Sequence, residues 1–174
     1  MSTIITSIDP DSPAMRAGLR AGQQLLTING HAVVDVLDYR FYGYDPVSHL
    51  TRKNEDGSTR KLTVRKAEGE DLGLNFDTYL MDEMRSCANH CIFCFVDQMP
   101  PGMRQTLYFK DDDARLSFLQ GNYITLTNLT ERVAQRIIDL RISPINVSVH
   151  TTDPQLHCTM LGNKDAARSL DYIR

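Results

Sequence analysis

The sequence predicts a mixed fold in two parts: a small strand-rich domain over residues 1–79 and an α/β region over residues 80–174. Three observations carry this expectation. Short alternating segments separated by hairpin-type turns fill the first part. In the second part strand, helix, strand and helix follow one another, the rhythm of a parallel layer or barrel. The pattern changes near Leu80, and just beyond it three of the four cysteines crowd into "RSCANHCIFCFVDQ", residues 85–98.

Each element has a local cause. Residues 3–8 alternate like a strand, and Asp9-Pro10-Asp11 turns the chain. Ser12 caps a short helical turn with Pro13 at its first position. Gly18 and Gly22 punctuate the approach to residues 24–28, a strand ending at the Asn29-Gly30 hairpin turn. Residues 35–44 have helical spacing, with Val36, Leu37, Tyr39 and Phe41 as the expected buried positions. Residues 47–52 and 58–66 read as strands joined across "KNEDG", where Asp56-Gly57 marks a hairpin. Past the cysteines, "FKDDDARLSFLQ" gives a short acidic-started helix with Gly121 as its stop, followed by a buried strand over residues 123–127. "LTERVAQRIIDLRIS" gives a helix capped by Thr130, with Val133, Ile137, Ile138 and Leu140 on one face. "PINVSVH" is a nearly apolar strand, and a further helix starts at Asn163.

The totals narrow the class. A chain of 174 residues with 41% hydrophobic residues can build a core. A net charge of −3 gives no bulk attraction to nucleic acid or to an anionic membrane. No apolar run is long enough to span a bilayer and no signal sequence opens the chain, so a cytoplasmic location is expected. Four cysteines, three of them clustered, do not form a secreted disulfide pattern. In a reducing compartment such a cluster more often binds metal or does redox chemistry.

Cys87, Cys91 and Cys94 form C-x3-C-x2-C, a set of soft ligands suited to zinc or iron–sulfur. The count is informative. Structural zinc takes four protein ligands, and an electron-transfer [4Fe–4S] cluster takes four cysteines. Three cysteines leave one iron of a cubane without a protein ligand, open to a substrate or cofactor, and that favours an enzyme. The competing reading is a zinc site completed by His90, His150, His157 or Cys158. Asp111, Asp112 and Asp113 suit a helix start favoured by the dipole better than a metal site, and Asp97 and Gln98 suit capping of the turn after the loop.

Two resemblances sharpen these readings. "SIDPDSPAMRAGLRAGQQLLTING" resembles the middle of a PDZ domain, over roughly residues 1–66. That implies peptide binding by strand addition, with a glycine-containing loop receiving the peptide carboxylate. Here "EDLGLNF" would supply the loop from the C-terminal side, as in circularly permuted bacterial PDZ domains, making Gly73, Leu74, Asn75 and Phe76 the peptide-binding residues; the alternative is a plain inter-domain strand. The cysteine triplet, with Phe93 just before Cys94, resembles the cluster loop of radical S-adenosylmethionine (SAM) enzymes. This implies a [4Fe–4S] cluster on Cys87, Cys91 and Cys94 whose fourth iron chelates S-adenosylmethionine. Reduction would release methionine and a 5′-deoxyadenosyl radical that abstracts hydrogen from the substrate. A reducing donor such as flavodoxin or ferredoxin is implied too.

The same resemblance implies a partial TIM-type barrel. Its first strand would be "YLMDEMRSC", its second "NYITLTNL" and its third "PINVSVHTT", with "TMLGN" as a turn after the third. Phe93, Thr127, Asn128, Ser148 and His150 become candidate SAM contacts. Thr127-Asn128-Leu129 stands where many members carry Gly-Gly-Glu. Taken together, the two parts resemble a bacterial PDZ-containing radical SAM family with an uncharacterised C-terminal domain, in which no reaction or substrate is assigned. Such a barrel has about six β/α units, and at ~30 residues per unit residues 80–174 hold about three. With an end at "SLDYIR", inside an expected helix, this predicts a chain truncated within the barrel. The alternative function is a PDZ peptide-binding adaptor with a metal-stapled or vestigial, non-catalytic α/β domain.

Overall fold

The alternation at the start of the chain folds as β1 (Ile5–Ile8) in the computed structural model, which describes residues 3–173. The chain divides into two units at Glu83/Met84. In the first, β1 is followed by α1 (Pro13–Arg16), β2 (Gln24–Ile28), β3 (His31–Ala32), α2 (Val36–Tyr42), β4 (Val47–Lys53), β5 (Thr59–Arg65) and β6 (Leu74–Phe76). Strands β3-β2-β4-β5 form an antiparallel sheet, while β1 pairs antiparallel with β6. Local chemistry explains the turns and caps. Asn29 and Gly30 both take positive φ, 50° and 84°, as a tight two-residue hairpin requires. Ser12 Oγ accepts from Met15 N at 3.2 Å. Asp35 caps α2 by accepting from Leu37 N at 2.9 Å, and Asp38 completes a capping box.

Ile5, Leu25, Ile28, Leu50, Val64 and Leu72 are buried and make the core of this unit. Each such side chain contributes roughly 1.5–3 kcal/mol of transfer free energy. Val36, Leu37 and Tyr39 are buried as the spacing predicts, but Phe41 is 48% exposed. At 3.6 residues per turn it lies beside Leu37, its i−4 neighbour, at the solvent edge of the buried arc and away from Val36 and Tyr39.

The second unit contains a 3-10 turn (Gln105–Tyr108), α3 (Ala114–Gln120), β7 (Tyr123–Ile124), α4 (Glu131–Asp139), β8 (Asn146–Val147), α5 (Pro154–Leu161) and α6 (Arg168–Asp171). β7 and β8 are parallel, with α4 in the crossover, and Ser148 N extends the ladder to Ile124 O at 2.9 Å. Ala114, Ile124 and Leu126 form the core, with Leu129, Ile137, Ile145, Val147 and Tyr172 packed on it.

Among the described residues the parallel sheet has two strands and no closed barrel forms, so the structure supports an α/β region and goes no further towards the partial barrel. Several other expectations need correction. The expected first strand, residues 79–87, consists of turns and a single antiparallel bridge, Ser86 to Asp111. Its apolar residues Leu80 and Met81 are instead buried in the first unit, and Met81 turns the chain at φ 67°. The second strand stops after Ile124, because Thr125 N donates to Asp112 Oδ1 at 2.5 Å and Leu126 takes φ 60°. Ile138 is 66% exposed: Val133, Ile137 and Leu140 form the inward stripe at i, i+4 and i+7, and Ile138 lies beside it. "TMLGN" is the end of α5 with Gly162 as its left-handed cap, not a free turn. The last helix begins at Arg168; Asn163 instead anchors the preceding turn, its Oδ1 accepting from Asp165 N at 3.0 Å.

Candidate functional site

Residues 87–94 have no helix or strand, yet both flanks are held. On one side Arg85 N donates to Asp113 Oδ2 at 3.0 Å, and Cys87 N donates to Lys110 O at 2.7 Å. On the other, His90 N donates to Leu161 O at 2.9 Å and Ile92 N to Met160 O at 3.0 Å. Gly162 permits that approach. A Cβ there would stand 2.4 Å from the His90 carbonyl oxygen, and the residue's φ is +56°. Cys94 N donates back to Cys91 O at 3.0 Å, curling the end of the loop.

Beneath the loop lies a buried polar network. Asn89, 1% exposed, donates from Nδ2 to Thr125 Oγ1 at 3.1 Å. Its Oδ1 accepts from Thr127 Oγ1 at 3.1 Å and from Asn163 Nδ2 at 2.7 Å. Thr125 Oγ1 also donates to Asp112 Oδ2 at 2.7 Å. The Asp111–Asp113 run therefore does three separate jobs. Asp111 accepts from Asn122 Nδ2 at 2.7 Å. Asp112 holds Thr125, and Asp113 caps α3 while pairing with Arg115 at 2.6 Å in a buried ion pair.

Cys87, Cys91 and Cys94 line one cavity of 790 Å³, together with Phe93, Phe95, Phe109, Tyr123, Lys110, Ser148 and His150 among others. All three thiols are unoxidised and half-buried. Burial raises the Cys87 thiol above its ordinary pKa, with Asp112 and Cys94 adding to the effect and the Asn89 N–H and Lys110 opposing it. Burial raises the Cys91 thiol too, with Cys87 and Cys94 adding to the effect. Lys110 reaches in beside them, its Nζ donating to Asn89 O at 2.8 Å and to Asp97 Oδ2 at 3.0 Å. Burial opposes its charge, but Asp97, and then Cys94 and Cys87, hold the ammonium pKa above its usual value. Among the described residues no three His, Cys, Asp or Glu side chains are gathered as a single ion would require.

The other sequence-derived candidates divide into two groups. Phe93 and His150 meet ring to ring at 4.5 Å, and Ser148 and His150 follow directly after β8. These three share the cavity with the thiols. Thr127 and Asn128 are outside its lining: Thr127 bonds Asn89, while Asn128 Nδ2 donates to the Asp112 carbonyl at 3.1 Å. Cys158 donates to Lys164 O at 3.3 Å and His157 is buried against Ser169, both away from that lining. Sequence reasoning passed over Asn89 and Lys110. The available signal for Asn89 was a lone amide set between two cysteines.

In the first unit, residues 71–73 form a second irregular segment leading into β6. Gly73 takes φ +79°, and a Cβ there would lie 2.3 Å from Ser12 Cβ. Its N–H donates to Asp71 Oδ1 at 2.7 Å, and Leu74 N donates to the Tyr39 hydroxyl at 3.3 Å. Tyr39 in turn donates to Asp71 Oδ1 at 2.8 Å. Burial, reinforced by the Asp71 charge, holds this phenol protonated well above its ordinary pKa. A 320 Å³ groove runs beside α2 and β6, lined by Val36, Tyr39, Arg40, Leu74, Asn75 and Phe76 among others.

Fold and loops together define a two-module chain, a strand-rich domain with a glycine loop and an α/β unit built around a thiol-lined cavity. Family models match in the same order: one described as a PDZ domain covers residues 4–65, and one described as a Radical SAM-like domain covers residues 66–174. The chain belongs to the Radical SAM-like domain family and carries a PDZ domain ahead of that domain. The second match takes in β6, which pairs with β1 of the first unit. A search of curated proteins finds no match. A Radical SAM-like domain marks an enzyme of the radical SAM kind. Among the described residues no helix is long and apolar enough to cross a membrane.

Proposed function

We propose that the second unit is a radical SAM module in which Cys87, Cys91 and Cys94 hold a [4Fe–4S] cluster and S-adenosylmethionine occupies the adjoining cavity. The observation that carries this reading is the three unpaired thiols lining one 790 Å³ cavity with Ser148 and His150. The donor set fits the group in kind: three soft thiol donors line one cavity and leave a further coordination position for a cosubstrate. When bound, the cluster and S-adenosylmethionine together supply a 5′-deoxyadenosyl radical by one-electron cleavage of the sulfonium. The chain's own residues do the rest. The cysteines give up their protons on ligation. Lys110 offsets the negative charge that the thiolates then carry. Phe93 and His150 present a ring wall for the adenosyl group, and Ser148 a hydroxyl. Thr127 and Asn128 act from behind, through Asn89 and the Asp112 backbone.

The remaining readings follow from this one. The domain boundary lies near residue 80, the location is cytoplasmic, and a flavodoxin or ferredoxin supplies the electron. A peptide of the PDZ domain adds to β6 in the groove beside α2. Because the Gly73 and Leu74 N–H groups are held by Asp71 and Tyr39, Asn75 and Phe76 are the residues it meets first. The test is anaerobic reconstitution of the full chain with iron and sulfide. About four irons per chain and a spectrum that changes on adding S-adenosylmethionine are expected. One zinc per chain, with no response to S-adenosylmethionine, overturns the reading in favour of the adaptor.

A further inference from the structure

The cysteine loop has no helix or strand of its own, so something else must fix the spacing of its thiols. Its midpoint, Asn89, sits two residues from Cys87 and two from Cys91. It is 1% exposed between two neighbours, His90 and Ala88, that face solvent. A buried amide is costly unless its donors and acceptors are met. Here Nδ2 meets Thr125, Oδ1 meets Thr127 and Asn163, and the main-chain carbonyl meets Lys110. These four partners come from the β7 end, the segment before α3 and the cap after α5. One residue thus gathers three separate stretches of chain beneath the loop, two through its side chain and one through its carbonyl. Asparagine suits this point because a short planar amide offers donor and acceptor together. Leucine or alanine would leave the Asn163 amide without this acceptor and Thr125 without this donor.

We infer that Asn89 is the positioning residue of the cysteine loop: its amide, tied to Thr125, Thr127 and Asn163, sets the arrangement in which Cys87 and Cys91 take up iron. This rests on the radical SAM reading and adds to it a residue that touches neither iron nor cosubstrate. Preorganisation of this kind matters because a loop that must be ordered on ligand binding loses that ordering cost from its affinity.

The experiment uses the full chain, with Asn89→Ala, the milder Thr125→Val and Asn163→Ala, and a control, Ser169→Ala. Ser169 is buried and bonds His157, so the control removes a buried hydrogen bond from the same unit without touching the loop. Two quantities are read in each: amide hydrogen exchange of the apo chain, and iron content after anaerobic reconstitution well below the melting temperature. Asn89→Ala is expected to raise exchange in residues 87–94 by tenfold or more while α4 keeps its protection, and to cut iron uptake about tenfold. Thr125→Val and Asn163→Ala should fall between, and Ser169→Ala should lower the melting temperature without lowering iron uptake. The inference is overturned if Asn89→Ala loads iron like wild type, or if iron uptake merely tracks melting temperature across all four variants. A wild-type chain that takes up no iron sinks the radical SAM reading itself and, with it, the purpose assigned to Asn89.

Discussion

The glycine loop, residues 71–73 with the start of β6, and the cysteine loop, residues 87–94, are both short departures from regular structure, and they treat their reactive groups in opposite ways. In the glycine loop the groups suited to a ligand, the Gly73 and Leu74 N–H, are satisfied internally by Asp71 and Tyr39. In the cysteine loop the scaffold is satisfied instead. Backbone groups bond Lys110, Leu161 and Met160, and the Asn89 amide is met on both sides, while three thiols are left facing a cavity. A buried polar group without a partner costs about 1–3 kcal/mol. Thiols are weak donors and acceptors, so meeting them only in part costs far less than leaving amides unmet. The second loop keeps its chemistry available because its thiols ask little of their partners; the first is self-capped because its N–H groups ask more.

Perturbing the two loops should therefore give different kinds of loss. The largest effect is expected from Cys91→Ala, which removes one of three donors: iron after reconstitution should drop to background, while circular dichroism of the strand-rich unit is unchanged. Next comes Asp113→Ala, which breaks the ion pair with Arg115 and the anchor of Arg85 N. A loss of about 3–5 kcal/mol is expected, read as earlier chemical denaturation of the second unit with the first unaffected.

Asp113 also sets a pH dependence. Burial raises its pKa, but the Arg115 and Arg85 bonds outweigh that and hold it below the ordinary value. A carboxyl whose folded pKa is lowered contributes stability that is complete above the unfolded pKa of about 3.9 and is lost as pH falls through the lower, folded value. Acid unfolding of the second unit should therefore set in below about pH 4 and flatten in Asp113→Asn. Asp112 works with the opposite sign, because burial raises it despite its bonds to Thr125.

Smaller losses are expected in the glycine loop. Gly73→Ala forces a Cβ against Ser12 at positive φ and should cost the first unit roughly 1–3 kcal/mol. Tyr39→Phe removes the hydroxyl shared by Asp71 and Leu74 and should cost about 1–2 kcal/mol. The smallest shift is a gain: Asp71→Ala releases the Gly73 N–H, so a peptide with a free terminal carboxylate should bind about tenfold tighter than to wild type by titration calorimetry. Equal affinity in both chains would mean that the glycine loop was never the carboxylate receiver.

What could be read from the sequence follows the same division between local and distant causes. Caps and hairpins were legible because a few adjacent residues decide them: Ser12-Pro13, Asn29-Gly30, Asp56-Gly57 and Thr130 all act where their types suggest. Phe41 and Ile138 were misplaced by treating an apolar residue near a helical stripe as part of it. The strand expected at residues 79–87 failed because Leu80 and Met81 found their apolar surroundings in the preceding unit. The cysteine spacing announced the second loop, but Asn89 and Lys110 have meaning only through partners far away in the chain, which no local pattern records.

The bond between Asn89 and Asn163 spans 74 residues of chain. A ribosome delivers residues in order, at roughly 5–20 per second, so several seconds of translation separate the thiols from the last component of their support. During that interval the loop lacks one of the partners of its buried amide. The cysteine loop therefore takes its final form only after Asn163, beyond α5, has left the exit tunnel, well after the cysteines themselves have appeared.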